Sequence, residues 1–386
     1  MSGLVTTMRR EMRRLASRPI YLFAMMAVPI GCALFFMSLL REGLPTKVPV
    51  AVVDNDNSAL SRQMIRDLDA TQLLDINSYY DSYQAAFEAV RRGEIYGFFV
   101  IPNEFEKNAV AGHSPTLTYY SNMAYFIPGT LSFKGFKTIA VTTTGSVVAM
   151  QLVSTGLERD AVGALIQPLA VQDHLIGNTW SNYSIYLCNS FAPGVLALMI
   201  MLVTVFSICE EIKRGTSVAW LESARGSIIV ALLGKMLPHT LIFSIVGIFI
   251  QSLMYGYNHY PLNCPLWVMI LAMMLFVVAC QGFALFICSV LPNLRLALSV
   301  VSLLGVLSFS ITGFSFPVEN MYGAVAIFSH IVPVRYYFLI YVDQALNGIP
   351  LYYSRWYFVA LAIFPLVATT MLWRLKKACK NPIYIP

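Results

Sequence analysis

Histidines and cysteines are the residues of this 386-residue chain best suited to bind a metal or to attack a substrate. The histidines are His113, His174, His239, His259 and His330. They are scattered through the sequence, and the chain contains no CxxC pair and no HExxH or GxSxG motif. We therefore expect neither a metal site nor a hydrolytic centre.

The sequence also lacks a phosphate-binding loop. That loop needs an earlier glycine at a set distance before a Gly-Lys pair, and a Ser or Thr directly after the pair. Here Gly234-Lys235 is followed by Met236, and no glycine precedes the pair at the required distance. The chain is therefore not expected to bind ATP in this way.

The composition is that of a membrane protein. Hydrophobic residues make up 57% of the chain and charged residues 12%, and the mean hydropathy is +0.65. Soluble domains average about 45–50% apolar and about 25% charged residues, so a soluble enzyme is excluded. The net charge of +6 comes largely from short basic clusters at the ends of apolar runs. Nucleic acid is therefore not predicted as a partner.

Six segments have the roughly 20 mostly apolar residues that a membrane crossing needs. They are residues 20–40, 189–209, 228–254, 266–291, 294–314 and 355–374. Arginines crowd the segment before the first span, and basic residues follow the last, whereas the loop 255–265 holds no Lys or Arg. Because cytoplasmic flanks carry the excess of Lys and Arg, both termini are predicted to be cytoplasmic, including the tail 375–386.

Residues 1–19 are predicted to form a cytoplasmic interfacial helix. Leu4, Met8, Met12 and Leu15 recur at helical spacing opposite the arginines, as in helices that lie on a membrane surface. A cleaved signal peptide is the alternative. The apolar run is longer than the usual signal core of about 7–15 residues, and Leu39-Leu40-Arg41 lacks small residues, so the interfacial helix is favoured.

The orientation places residues 41–188 outside the cytoplasm, where strand and helix patterns alternate. Strands are predicted at residues 48–54, 73–79, 96–101 and 115–121, and helices at 58–68 and 81–92. Residues 131–175 have a helical pattern with few charges. The predicted fold class is a membrane α-helical protein of six spans with an interfacial N-terminal helix and an inserted extracytoplasmic α/β domain that contains long helices.

Two of the seven cysteines lie at predicted outer ends of spans. Cys188 precedes the second span and Cys264 precedes the fourth. An oxidising compartment would allow these two thiols to pair, so a disulfide is left open. The cysteines inside apolar segments are interpreted as small apolar residues.

Three groups of residues resemble those of a known family. Residues 210–216 (EEIKRGT) resemble its acidic-basic-Gly-Thr motif, which Leu233-Gly234-Lys235 follows. Residues 312–321 (TGFSFPVENM) and 328–336 (FSHIVPVRY) resemble the segment in which its chain turns back into the membrane, and Gly348 closes that hairpin. In this order, the motifs resemble the ABC-2 type permeases. These are membrane subunits of ATP-binding cassette exporters, here of the subgroup with a large external domain between spans one and two.

The resemblance implies that the cytoplasmic loop 210–227 couples the spans to an ATPase. The residues assigned to this contact are Glu210, Glu211, Lys213, Arg214, Gly215, Thr216, Trp220, Leu221, Glu222 and Arg225. Trp220 and Leu221 would offer an apolar knob beside charged groups. The alternative is an ordinary loop held at the lipid head groups by its charges. Lys235 is expected to extend its amine to the inner membrane interface.

Residues 315–354 are interpreted as short helices and a loop in the outer leaflet, since their apolar runs are too short to cross a membrane. The residues assigned to this hairpin are Gly313, Pro317, Glu319, Pro333, Arg335 and Asp343. Charge is costly in an apolar setting, so Arg335 and Asp343 are expected to pair or to face an aqueous path. Surface helices with these charges in water are the alternative.

The resemblance implies a permease of a bacterial inner membrane and not an enzyme. The chain would need no cofactor, because a separate cytoplasmic ATPase subunit would bind ATP and Mg²⁺. Further implied partners are a second permease copy or a paralogue, the lipid bilayer, a periplasmic adaptor of the membrane-fusion type and an outer-membrane channel. The implied function is efflux of an amphipathic or hydrophobic cargo, which could be a drug, a lipid or a peptide.

Two other classes of function were weighed. A membrane-anchored receptor would use the extracytoplasmic domain as a sensor, but only a short tail after the last span would be available to transmit a signal. A lipid-modifying enzyme would need polar residues clustered at one membrane depth, and the sequence shows no such cluster. The permease is therefore the favoured interpretation.

Overall fold

A computed structural model of the protein describes residues 2–166, 174–179 and 181–382. The helices are α1 Ser2–Ser17, α2 Pro19–Leu39, α3 Ala59–Asp69, α4 Tyr83–Arg91, α5 Phe105–Val110, α6 Phe126–Ser154, α7 Arg159–Ile166, α8 Tyr183–Lys213, α9 Ser217–Ser223, α10 Ile228–Tyr257, α11 Leu266–Val290, α12 Leu294–Ile311, α13 Gly323–Ser329, α14 Pro333–Leu346, α15 Leu351–Thr369 and α16 Leu372–Lys380. The strands are β1 Val48–Asp54, β2 Leu74–Tyr79, β3 Gly97–Ile101 and β4 Thr118–Ser121.

The chain divides into two compact units. Unit 1 consists of Met1–Gly43 and Leu175–Pro386, and unit 2 of Leu44–His174. Unit 1 therefore contains α1, α2 and the helices from α8 to α16, whereas unit 2 contains the four strands and the helices from α3 to α7.

Unit 2 is built on a four-stranded sheet in the order β2-β1-β3-β4. Strand β1 pairs in parallel with β2 and β3, and β3 pairs antiparallel with β4. Val50, Ala51 and Val52 of β1 are fully buried, as expected for a central strand covered on both faces. On one face they pack with Met64 of α3, and on the other with Ala86 of α4.

Local signals explain where the first two helices of unit 2 begin and end. The Ser58 hydroxyl accepts a hydrogen bond from Ser61 N at the start of α3, as the sequence predicted for an N-cap. Gly93 takes a positive φ just after α4. Helix α5 was not predicted, because its cap is non-local: the Asp56 carboxylate accepts from Phe105 N and Glu106 N.

The predicted long helical region of unit 2 is one helix of 29 residues, α6, followed by the short α7. Gly135 lets α6 approach the sheet, because a Cβ there would lie 3.0 Å from Leu74 Cγ. The part of this prediction that covers residues 167–173 lies outside the described residues.

Seven helices of the described residues are long and apolar enough to cross a membrane: α2, α6, α8, α10, α11, α12 and α15. Six of them overlap the segments predicted as spans, and α6 belongs to unit 2. The membrane α-helical class is therefore confirmed. The count of six spans and the extracytoplasmic position of the α/β region stay predictions.

Several span boundaries differ from the predicted ones. Helix α8 begins at Tyr183 because the Asn182 side chain accepts hydrogen bonds from Ser184 N and Ile185 N. Helix α15 begins at Leu351, directly after Pro350, and ends at Thr369. The predicted range 355–374 therefore includes a break before α16.

Helix α1 packs on α10 with a face that the sequence did not predict. Gly3, Thr7, Glu11 and Leu15 are buried, whereas Met12 is 56% exposed. The two helices approach at Gly234, where a Cβ would lie 2.7 Å from Thr7 Cβ. The side of α1 that packs on α10 therefore carries small and polar residues beside Leu15, and the contact of the predicted apolar face with a membrane stays a prediction.

Candidate functional site

A cluster of buried charges lies where α1, α8 and α10 meet. We call it the charge network and define it by its carboxylates and cations: Arg10, Glu11, Arg14, Arg18, Glu210, Glu211, Arg214 and Lys235. It joins residues that are about 200 positions apart in the sequence. Buried charges are costly unless they are paired and hydrogen-bonded, so each member of this cluster depends on its partners.

Glu211 is the centre of the network. Its carboxylate accepts two parallel hydrogen bonds from the Arg10 guanidinium, at 2.9 and 2.8 Å, and further bonds from Arg14 and from the Thr216 hydroxyl. The Lys235 Nζ lies 3.1 Å from Glu211 Oε1. A fork of this kind is the strongest arrangement available to an arginine and a carboxylate. Glu211 thus connects α1, α8, α10 and the start of the following loop.

Glu210 extends the network towards solvent. It accepts from Arg14, from Arg18 at 2.8 Å and from Arg214 at 2.7 Å. The Tyr21 hydroxyl of α2 donates to the same carboxylate at 3.3 Å. Arg214 is about half exposed, so its pair with Glu210 contributes little compared with the buried pairs.

Lys235 is completely buried in the middle of the network. Its Nζ donates to Glu11 Oε2 at 2.6 Å and lies 5.1 Å from the centre of the Trp220 ring. The expectation that Lys235 extends to the membrane interface is therefore wrong, because two carboxylates hold its amine inside the protein. His239, one turn further along α10, places Nε2 3.0 Å from Glu11 Oε1.

Glu11 stays charged over a wide range of pH. Burial by itself would raise the pKa of Glu11, but the hydrogen bond from His239 and the charge of Lys235 lower it to about 2. A carboxylate whose pKa is lower in the folded chain stabilises the fold above its ordinary value near 4.5, and this contribution is lost as the pH falls towards 2.

This shift predicts a pH-dependent cost for the Glu11→Gln variant. At neutral pH we expect the variant to melt at a lower temperature than the native chain, and we expect this difference to narrow below about pH 4.5, because Glu11 of the unfolded chain then takes up a proton while Glu11 of the folded chain stays charged. The measurement is the melting temperature of both proteins in detergent from pH 7 to pH 3. The control is Glu222→Gln, which changes an exposed glutamate of α9. Its melting temperature should match that of the native chain across this pH range. For Glu11→Gln, a difference of constant size would contradict the assigned pKa.

The predicted apolar knob of the loop 210–227 is not on the surface. Trp220 is completely buried and Leu221 nearly so, because α9 turns both side chains towards the neighbouring helices of unit 1. The exposed side of α9 carries Val218 and Glu222, with Arg225 just beyond its end. Trp220 and Leu221 therefore hold α9 in place. That the loop couples the spans to an ATPase stays a prediction.

Two hydrogen bonds attach α9 to its neighbours. The Thr7 and Ser223 hydroxyls lie 3.0 Å apart, which connects α9 to α1. The Ser217 hydroxyl donates to the carbonyl of Cys379 at 2.8 Å, which connects it to α16. Displacing α9 must therefore disturb α1 and α16 as well as the charge network.

The predicted outer hairpin contains two helices, α13 and α14, bent by 76° at their junction. Gly313 has a positive φ, Pro317 directly precedes a short 3₁₀ turn that contains Glu319, and Pro333 begins α14. Arg335 donates to the Thr312 carbonyl at 2.9 Å.

Arg335 and Asp343 do not form the ion pair that was one of the expectations. Asp343 accepts from the Ser354 hydroxyl at 2.9 Å, whereas Arg335 is bonded to Thr312.

The structure leaves Cys188 and Cys264 as free thiols, so the disulfide is not formed. Among the described residues, no group of three His, Cys, Asp or Glu side chains is arranged to hold a metal.

Sequence reasoning missed Glu11, His239 and the arginines of α1 as members of the site. Glu11 is the one acid in a helix with four arginines, and Lys235 is a single cation in an apolar segment. Each is a charge without a local partner, and such charges usually pair across helices. That signal could have suggested that these charges pair with one another, but it could not have given the geometry of the pairs.

Comparison with known proteins places the chain in a family. The model of the ABC-2 family transporter proteins matches residues 19–374, from the start of α2 to α16. A search of curated proteins finds no match. The matched region contains all seven long apolar helices, as expected of a multi-pass membrane protein, whereas α1 precedes it. Since the match covers well over half of its length, the chain belongs to the ABC-2 family of transporter proteins.

Proposed function

We propose that this chain is the permease subunit of an ABC-2 exporter in a bacterial inner membrane, driven by ATP that a separate cytoplasmic subunit hydrolyses. The observation that carries the proposal is the position of α9. Its exposed side is free for a partner, while its buried side rests on the charge network through Trp220 and Lys235. A second copy or a paralogue would complete the translocation path.

The charge network suits the transmission of force. Ion pairs away from water are costly to separate, because a lost partner leaves an uncompensated buried charge. A displacement of α9 would therefore move α1, α8 and α10 together rather than break their contacts. In this proposal the ATPase presses on Val218, Glu222 and Arg225, and the network passes the motion to the spans.

The basic residues support the orientation. The arginines of α1 and the cations of α16 lie in segments that flank long apolar helices, whereas the loop between α10 and α11 has no Lys or Arg. Cytoplasmic flanks carry such an excess. We therefore place both termini and the charge network on the cytoplasmic side, and unit 2 outside, where an adaptor of the membrane-fusion type could dock.

An apolar groove supports an amphipathic or hydrophobic cargo. It lies in unit 1 and has a volume of about 250 Å³. Its lining residues are Ile20, Tyr21, Ala24, Met199, Leu202, Val203, Phe206 and Leu298. Because these belong to α2, α8 and α12, a molecule dissolved in the bilayer could enter between long apolar helices.

The proposal predicts that changes on the exposed side of α9 uncouple the ATPase. We expect a Val218→Asp/Glu222→Arg double variant to retain less than about a tenth of the copurified ATP hydrolysis, since a tenfold loss corresponds to about 1.4 kcal/mol of contact energy. The measurement is ATP hydrolysis by the affinity-purified chain in nanodiscs after expression with its neighbouring genes.

The matched control is Val110→Asp/Lys107→Glu, which makes the same kinds of change at exposed positions of unit 2. It should leave the copurified hydrolysis unchanged. If no nucleotide-binding subunit accompanies even the native chain, the exporter proposal fails, and a receptor that uses unit 2 as a sensor becomes the function to test.

A further inference from the structure

Helix α6 presents a long uncharged surface. Lys134 and Lys137 are its only charged residues, and no charge follows until Glu158. Val141 and Met150 are each more than 60% exposed. The sheet and its core cover only the first half of the helix, from Leu131 to Ala140. On a domain outside the membrane, an exposed apolar surface of this length marks an interaction site.

The hydroxyl groups of α6 make this surface more apolar than the sequence suggests. Thr138, Thr142, Thr144 and Ser146 each donate to the carbonyl four residues earlier in the same helix. A hydroxyl bonded in this way has no donor left for a ligand, although its oxygen can still accept a hydrogen bond. These side chains therefore offer no hydrogen-bond donors to a polar ligand such as a sugar or a peptide.

A trough with a volume of about 930 Å³ runs along this helix. We call it the α6 trough. Its apolar lining comes from α6, from α7 and from the segment before β4, and includes Leu117, Phe133, Val141, Val148, Leu165 and Ile166. The volume is at the upper end of the roughly 300–1,000 Å³ typical of sites for small molecules. It is large enough for one molecule with an extended apolar body.

Lys137 is the one charged side chain among the described residues that line the trough. It is exposed and forms no hydrogen bond or ion pair with the described part of the chain. A single unpaired cation in an apolar trough complements a ligand with one negative charge. Lys134, one turn earlier on α6, does not line the trough.

We propose that the α6 trough binds an amphipathic anion with a long apolar chain, such as a fatty acid, whose acidic group pairs with Lys137. The apolar chain lies along α6 towards Val148, and the self-bonded threonines contribute their methyl groups. The proposed position of unit 2 outside the membrane, and the identification of this ligand as exported cargo, rest on the proposed function. The binding itself does not depend on an ATPase.

The test is photolabelling of the full chain in nanodiscs, without an ATPase subunit and without nucleotide. The probe is palmitic acid that carries a diazirine in its chain, and the labelled peptides are identified by mass spectrometry. We expect adducts on residues 133–148. Lys137→Gln should lower this labelling at least about tenfold, the size of effect expected for about 1.4 kcal/mol of lost attraction.

Two controls separate specific binding from partitioning into lipid. Lys134→Gln, which removes a charge from the same helix outside the trough, should leave the labelling within about twofold, and the methyl ester of the probe should label native chain and Lys137→Gln equally weakly. Val141→Asp, which charges the apolar wall, should also lower the labelling. Equal labelling of the native chain and Lys137→Gln, or adducts confined to unit 1, would overturn the proposal and leave the ATPase experiment unaffected.

Discussion

Glu211→Ala is expected to lower the free energy of unfolding by about 3–5 kcal/mol, because removing one partner of a buried ion network leaves the other charges uncompensated. Lys235 would retain Glu11 as its one carboxylate partner in the network, and Arg10 would lose both of its parallel hydrogen bonds. The Thr216 hydroxyl would lose its acceptor as well. The measurement is denaturation of the purified chain in detergent, followed by a signal from its tryptophans.

Glu222→Ala provides the matched control for this variant. It removes the same carboxylate from an exposed position of the neighbouring α9, where a change within about 0.5 kcal/mol is expected. Glu211→Gln should lie between the two, since it keeps the shape and some hydrogen bonds but loses the charge. If Glu211→Ala were no more damaging than Glu222→Ala, the network would not stabilise unit 1.

Gly282→Ala is expected to cost about 1–3 kcal/mol through overpacking between α11 and α15. A Cβ at this position would lie 2.6 Å from both the N and the Cα of Pro365 and 2.9 Å from the carbonyl carbon of Phe364. These are backbone atoms, so they cannot move aside by rotating a side chain. The helices must separate, and the loss should appear as a lower melting temperature in detergent.

Gly31→Ala is the control for this prediction. Gly31 also lies within a long apolar helix, α2, but a Cβ there would meet no atom within 4 Å. Alanine in a helix is favoured over glycine by roughly 0.5–1 kcal/mol, so this variant should be neutral or more stable. A similar loss in both variants would point to a general need for glycine flexibility and not to the contact with Pro365.

Much of the fold was predictable because its signals are local. The β-branched run VPVAVVD forms β1 over the predicted residues, and Ser58 caps the next helix as expected. The start of α8 was placed too late, because Ser184 lowers the local hydropathy although the bundle buries it. Hydropathy averages cannot distinguish a polar residue that finds a partner inside the protein from one that remains in water.

The candidate site was predictable only in part. Glu210 and Glu211 were assigned from the EEIKRGT motif, and both belong to the charge network. Trp220 was expected on the surface, because a seven-residue helix with one apolar pair does not show which side faces the protein. The structure places it beside Lys235, and the exposed side of α9 carries Val218 and Glu222 instead.

By itself, the sequence determined that this is a membrane protein, where its long apolar helices lie, and which motifs it shares with the ABC-2 family. Each of these is a property of consecutive residues, such as hydropathy, charge or periodicity. Only the tertiary structure decided that Glu11 pairs with Lys235, 224 residues away, and that α6 and α7 enclose a trough. Such contacts depend on how helices pack against one another, and no single segment contains that information.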